Sequence, residues 1–400
     1  MQKLTLFSDT FIWIKHDMGL LYNSKTFVSN EFVITSGTSR ICLILLDINN
    51  LYSTEVDLTI MPEDERNFIN MITSRGYGVI NDINEKIVSF PPLLNIQNEI
   101  ERSLKDKNLN LGEGILKYFT SLTIYTGGDT GNSDNKKYYH QILYPILSDK
   151  KFDNNDITAI IKKFSTQYLR VINIVTENLE SIIDLKFTNL FSTTDDKDIY
   201  VLTLLQNIKD IGILDVFYKQ GVKLKIICDN LEENINKLNK ILIKEKNSQN
   251  HLSYCFIIRS IEEYEFVISL IKNNNITNYD IFPVYDNNLS FFEENVFLSK
   301  SDLKESKLCR REIFLHQAIN SNDFGKLTIM PDKNIYSNIN FPPLGTIENN
   351  IYELIQKELI INYSWRRIRD CYPCNECIWQ WICPSPSNYE IVMKKNNLCH

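Results

Sequence analysis

No apolar run in these 400 residues approaches the ~20 that a transmembrane helix needs, which excludes an α-helical membrane protein. The start, Met-Gln-Lys-Leu-Thr-Leu-Phe-Ser-Asp, lacks the apolar core of about 7–15 residues that marks a signal peptide, so a cytoplasmic protein is expected. Basic residues are in deficit. Lys and Arg number 43 against 50 Asp and Glu, a net charge of −7, and general nucleic-acid affinity is therefore not expected. The sequence contains no GxxxxGK[ST], GxSxG or HExxH, so the phosphate-loop, hydrolase and zinc-protease chemistries have no foothold. Histidine is sparse: His16, His140, His251, His316 and His400 are the only five, and none pairs with another at metal-ligand spacing.

Cysteine is scarce as well, except at the end. Cys42, Cys228, Cys255 and Cys309 are scattered through the first 370 residues, whereas Cys371, Cys374, Cys377, Cys383 and Cys399 crowd the last thirty. Isolated cysteines are most often small buried apolar residues. Clustered thiols in a reducing compartment are better explained as metal ligands than as a disulfide framework. Cys371-Tyr-Pro-Cys374-Asn-Glu-Cys377 sets three thiols at CxxC spacing, and Cys383-Pro384 follows six residues on. Several sulfurs can then converge on one metal centre without a large loop to close.

A zinc ribbon carries two CxxC knuckles about 15–20 residues apart, and the second is missing. The run is nearer the ferredoxin pattern CxxCxxCxxxCP, apart from a last gap of five residues instead of three. The flanking Ile378-Trp379-Gln380-Trp381-Ile382 would exclude water from an iron–sulfur cluster, or would simply pack a small tail. Spacing favours iron–sulfur and leaves zinc open.

Apolar residues make up 43% and charged residues 23%, an ordinary globular composition, and the length suits two or three domains. Residues 1–90 read as a small α+β unit. Phe11–Ile14 and Leu20–Asn23 are strand-like around a turn at Asp17–Gly19, and Pro62 with its following acids opens a helix that Gly76 ends. Residues 95–304 alternate strand and helix. Candidate strands are Leu122–Tyr125, Arg170–Val175, Lys223–Cys228, Leu252–Ile258 and Asp280–Val284, with helices over Asn207–Lys219 and Glu262–Lys272.

The loop Thr126–Asn132 is rich in glycine, a weak signal on its own. Residues 305–400 form the third unit, with a hairpin at Gly325–Tyr336 and a helix over Ile351–Ile361. Ser364-Trp-Arg-Arg-Ile-Arg369 leads into the cysteines and reads as a solvated helix end, or as a binder of acidic partners.

The tail Cys374-x2-Cys377-x5-Cys383-Pro-Ser-Pro-Ser-Asn-Tyr-Glu390, with Cys399-His400, resembles the SPASM region of radical S-adenosylmethionine (SAM) proteins that modify ribosomally made peptides. It is specifically similar to the pseudo-radical-SAM/SPASM family. Asn322–Ile329, Pro343-Leu-Gly345 and Tyr138–Pro145 add softer matches, and the resemblance spans nearly the full length.

It implies an α/β fold in which residues 95–304 are a degenerate radical SAM partial (β/α) barrel and residues 305–400 a SPASM region. One [4Fe–4S] cluster is implied on Cys374, Cys377, Cys383 and Cys399. Cys371 is left as a spare, although the purely local register would take it in place of Cys399. The family's other auxiliary cluster is implied to be lost, because Ser387 and Tyr336-Ser337-Asn338 stand where two of its cysteines would be.

An active barrel needs CxxxCxxC after its first strand. Here no cysteine lies between Cys42 and Cys228, so neither SAM binding nor radical SAM activity is expected. The expected role is an accessory protein that binds a precursor peptide, an active maturase, or both, with residues 1–90 as a possible peptide-recognition module. An electron relay through the single cluster and a purely structural metal site are the alternatives.

Overall fold

A computed structural model describes residues 2–83, 87–92, 112–128, 138–185, 197–246 and 252–399. The N-terminal unit holds two antiparallel three-stranded sheets. Strands β1 (Gln2–Leu6), β2 (Thr10–Lys15), β3 (Met18–Asn23), β4 (Ser29–Val33), β5 (Ser53–Val56) and β6 (Gly78–Asp82) pair in the orders β5-β1-β6 and β2-β3-β4. The turn between β2 and β3 is His16-Asp17, with Lys15 opposite Met18 and His16 in the left-handed region (φ 53°). Gly19, expected in the turn, lies in β3 instead. Its missing side chain leaves room for the Phe32 ring, 2.2 Å from where a Cβ would stand.

Helix α1 (Ser36–Leu46) was not legible as a helix. α2 (Glu63–Ser74) follows Pro62, with Glu63, Asp64 and Glu65 at its positive end, and Gly76 (φ 74°) lies just past it.

Alternation along the β2–β3 hairpin serves two cores at once. Ile12 and Leu21 face the N-terminal core with Phe68 and Ile72, whereas Phe11, Trp13, Leu20 and Tyr22 face the C-terminal tail. There they pack with Ile313, Ile368, Trp379 and Trp381. Tyr22 fastens the contact, donating its hydroxyl to the Leu308 carbonyl at 2.9 Å and accepting from the Leu308 N–H at 2.8 Å.

The remaining strands make one sheet of nine: β7 (Ser121–Tyr125), β8 (Val171–Val175), β9 (Asp198–Leu204), β10 (Lys223–Cys228), β11 (Ser253–Ile258), β12 (Tyr279–Pro283), β13 (Lys326–Ile329), β14 (Asn334–Tyr336) and β15 (Gly345–Thr346). β7 to β12 are parallel and adjacent in chain order, β13 joins β7 in parallel, and β14 and β15 extend the edge antiparallel. The hairpin of the third unit is thus continuous with the large sheet.

Strand alternation separates the two faces. Leu122, Ile124, Ile172, Leu224 and Ile226 face the core that includes the helices, while Tyr125, Val175, Leu202, Ile227 and Ile257 belong to a separate inner cluster. Two readings shift. The helix expected from Asn207 is α-helical only over Ile213–Lys219, after Gly212, and Asp198–Leu204 is a further strand beyond those expected. No helix among the described residues is long and apolar enough to cross a membrane.

Because Phe11 is fully buried between hairpin and tail, Phe11→Ala should lower stability by about 3–5 kcal/mol. It should also speed proteolysis within residues 364–399. An unchanged denaturation midpoint would contradict that packing role.

Candidate metal centre

The segment before the cysteines is interior, not a solvated helix end. Glu358, with no exposed surface, accepts the N–H groups of Ser364 and Trp365, each at 2.8 Å. This draws the chain inward after the helix Ile351–Ile361, and Arg366 and Arg369 are buried in consequence. Arg369 then organises the tail. It pairs with Glu390 at 2.8 Å, donates to the Pro384 carbonyl at 2.6 Å and points an N–H at Cys374 Sγ, 3.7 Å away. Burial works against its charge, but Glu390 and the thiols of Cys383 and Cys374 outweigh that and raise its pKa.

Cys399 acts electrostatically on Cys374 and Cys377, and all three act on Cys383. Burial raises the pKa of Cys374, Cys377 and Cys383, the last to about 12, while Arg369 pulls each of them back down. Sulfur acceptors are also supplied with donors. Trp379 N–H lies 3.4 Å from Cys377 Sγ, and Asn397 Nδ2 lies 3.2 Å from Cys399 Sγ. Donors of this kind stabilise metal-bound thiolates and tune an iron–sulfur cluster.

Trp379 and Trp381 are buried beside them and exclude water. The donor set therefore fits a thiolate-held group: soft ligands, N–H donors to sulfur, one compensating cation and a dry flank. Among the described residues, no three His, Cys, Asp or Glu side chains lie close enough together to hold a metal ion.

Cys371 stands apart. It is exposed and donates to Asp370 at 3.6 Å, and Asp370 and Arg367, not the other thiols, act on it. Cys42, Cys228 and Cys255 are buried, Cys228 and Cys255 on the neighbouring strands β10 and β11. Cys309 is exposed at the start of the helix Arg310–Ala318. His400 and residues 129–132 of the glycine-rich loop lie outside the described residues.

The segments Tyr336–Asn338 and Ser387–Asn388, far apart in sequence, meet through polar side chains. Asn338 Nδ2 donates to both carboxylate oxygens of Asp323 at 3.1 Å and to Asn388 Oδ1 at 2.7 Å. Burial pushes the Asp323 carboxyl up to about 6, with Asn338 acting against the shift. These groups border a cavity of about 470 Å³ on the inner face of the sheet, alongside Thr123, Asn173 and Lys225.

Nearer the C-terminal ends of the strands that face is filled. Tyr138, Tyr144 and Ile146, from the chain after β7, pack on Val175, Leu204, Ile227 and Ile257. Polar bonds hold them there. Arg259 pairs with Asp229 and donates to Tyr138 at 3.1 Å; Tyr138 donates to Asp286 at 2.7 Å and Tyr144 to Asp229 at 2.9 Å. Gln141 clamps the Tyr285 backbone with two bonds of 2.8 Å. Nothing in the spacing of Asp229, Arg259 and Asp286 signals this network, since it arises from where parallel strands end.

No protein-family profile matches the chain, and no curated protein does. Among solved structures, Streptococcus suis SuiB bound to its precursor peptide SuiA is similar at 13% identity, over 99% of this chain and 98% of that one, with a TM-score of 0.40. SuiB alone is similar at 14% identity with a TM-score of 0.39.

Two expectations follow from this geometry. Arg369→Met leaves Glu390 buried and unpaired, and should cost about 3–5 kcal/mol, measured by denaturant unfolding. Because folding raises the Asp323 pKa from 3.8 to about 6, its stabilising contribution is complete below about 4 and is lost as pH rises through 6. Wild type should therefore lose roughly 2–3 kcal/mol relative to Asp323→Asn between pH 4 and 7. Parallel pH profiles for the two proteins would contradict this.

Proposed function

We propose that this chain is an accessory protein of ribosomal-peptide maturation, without radical SAM activity of its own. On this reading it binds a precursor peptide, an active maturase, or both. Residues 1–90 form an N-terminal unit, 95–304 a degenerate radical SAM sheet and 305–400 a SPASM region. One [4Fe–4S] cluster is held by Cys374, Cys377, Cys383 and Cys399. When bound, such a cluster supplies one-electron storage and a cross-link that folds the tail.

The observation that carries the reading is the set of N–H donors aimed at the sulfurs of Cys374, Cys377 and Cys399, with Cys371 turned outward. Loss of the family's other auxiliary cluster is supported by the Asp323–Asn338–Asn388 hydrogen bonds, which occupy the ground where its cysteines would be. A silent barrel is supported by the missing CxxxCxxC and by Tyr138 and Tyr144 packed over the strand ends, where a SAM site would need open space.

Four measurements test the reading. Anaerobically purified protein should carry iron and sulfide each near ~4 per chain, whereas stoichiometric zinc without labile sulfide would contradict it. Cys374→Ala, Cys377→Ala, Cys383→Ala and Cys399→Ala should each lose the iron, and Cys371→Ala should keep it. A requirement for Cys371 with Cys399 dispensable would install the local register instead. Reduced, iron-loaded protein should form no 5′-deoxyadenosine from SAM, and it should retain a co-encoded precursor peptide or maturase in an anaerobic pull-down. Deoxyadenosine above the reductant-only control, or no capture of either partner, would overturn the corresponding half of the proposal.

A further inference from the structure

Of the three arginines before the cysteines, Arg367 combines a shielded donor with a place on a cleft and has no carboxylate partner of its own among the described residues. Arg369 is taken by Glu390 and Pro384, and Arg366 is buried with a bond to the Leu359 carbonyl at 2.9 Å. Arg367 spends one nitrogen on the carbonyls of Pro386 and Ser387, each at 3.1 Å, while its Nε is shielded from solvent and has no hydrogen-bond partner. The acids acting on it, Asp323 and Glu390, are engaged by Asn338 and Arg369 respectively. A buried donor without an acceptor is costly, and native structures rarely leave one so.

Arg367 lines a cleft of about 350 Å³, large enough for a side chain or two. Lys394 stands on the same cleft, as does Lys395, which pairs with Glu293 at 3.8 Å; the acid in the lining, Glu390, is held by Arg369, so cations prevail there in a chain of net charge −7. Phe341 and Ile391 give it apolar walls, and the Arg367 guanidinium lies over the Phe341 ring at 5.8 Å. Cys371 opens onto it.

We infer that this cleft binds an acidic side chain, Glu or Asp, presented by a polypeptide partner. A planar guanidinium suits a carboxylate, and lysines add charge without geometric demand. The apolar walls fit the methylene stem of such a side chain, a contact that a free inorganic anion would leave unmade.

The test uses the full-length protein and three probes: an acetylated, amidated tetraglutamate peptide, its tetraglutamine counterpart and inorganic phosphate. Calorimetry reports affinity. The rate of Cys371 alkylation by a neutral maleimide, followed by mass spectrometry, reports position, with exposed Cys309 as the control. Only the alkylation rests on the proposed ligand set, because it needs Cys371 free; calorimetry does not. A Cys371 unreactive in the absence of peptide would therefore count against the ligand set and not against the cleft.

Tetraglutamate should bind about tenfold tighter than tetraglutamine and slow alkylation of Cys371 but not of Cys309. Arg367→Gln should remove that preference. Lys394→Gln, which leaves the Pro386 and Ser387 bonds intact, should weaken binding about threefold or more. Equal affinity for the two peptides, equal protection by phosphate, or binding unaffected by Lys394→Gln would overturn the assignment.

Discussion

The buried Arg369–Glu390 pair is the constraint on which the tail depends. Thiols become good ligands only when deprotonated, and burial alone pushes them the other way. A desolvated guanidinium among them reverses part of that push, and Glu390 holds it in position. Glu390 also caps its own helix, Asn388–Met393, by accepting from Ser387. One carboxylate thereby fixes both the cation beside the sulfurs and the segment that borders the inner cavity. Neither partner can be lost alone without leaving an uncompensated charge in the interior.

The N-terminal hairpin extends this dependence across the chain. Because successive residues of a strand face opposite ways, β2 and β3 bind their own core with one set of side chains and the thiol-bearing tail with the other. A change of fold in the thiol-bearing tail would therefore be felt in residues 1–90, and a ligand on those residues could be felt at the thiols. On the inner face of the sheet, Arg259 and Asp229 hold Tyr138 and Tyr144 over the strand ends. Side chains thus fill the inner face at the strand ends, and the Asp323–Asn338–Asn388 hydrogen bonds border the cavity beside them.

Much of this was legible in the sequence because the signals are local. The strands Leu122–Tyr125 and Lys223–Cys228 are short apolar runs. Ile351–Ile361 keeps helical spacing to its last residue, and the CxxC spacing marks the tail by itself. What failed was not local. Asp198–Leu204 has the composition of a strand, and what the sequence does not show is its place between β8 and β10. Gly19 reads as a turn former but is small because Phe32 sits over it. The arginine run reads as solvated because a sequence cannot reveal that Glu358, Glu390 and the carbonyls of Pro384 and Pro386 converge on it from other segments.

The central claim is that the tail holds one cluster whose irons are all protein-ligated, in a chain with no SAM site. The direct measurement is electron paramagnetic resonance of the reduced, iron-loaded protein, recorded with and without SAM. The account predicts a single signal from one reduced four-iron centre, unchanged by SAM and absent in Cys383→Ala. A second signal, or a spectrum that shifts when SAM is added, would contradict it.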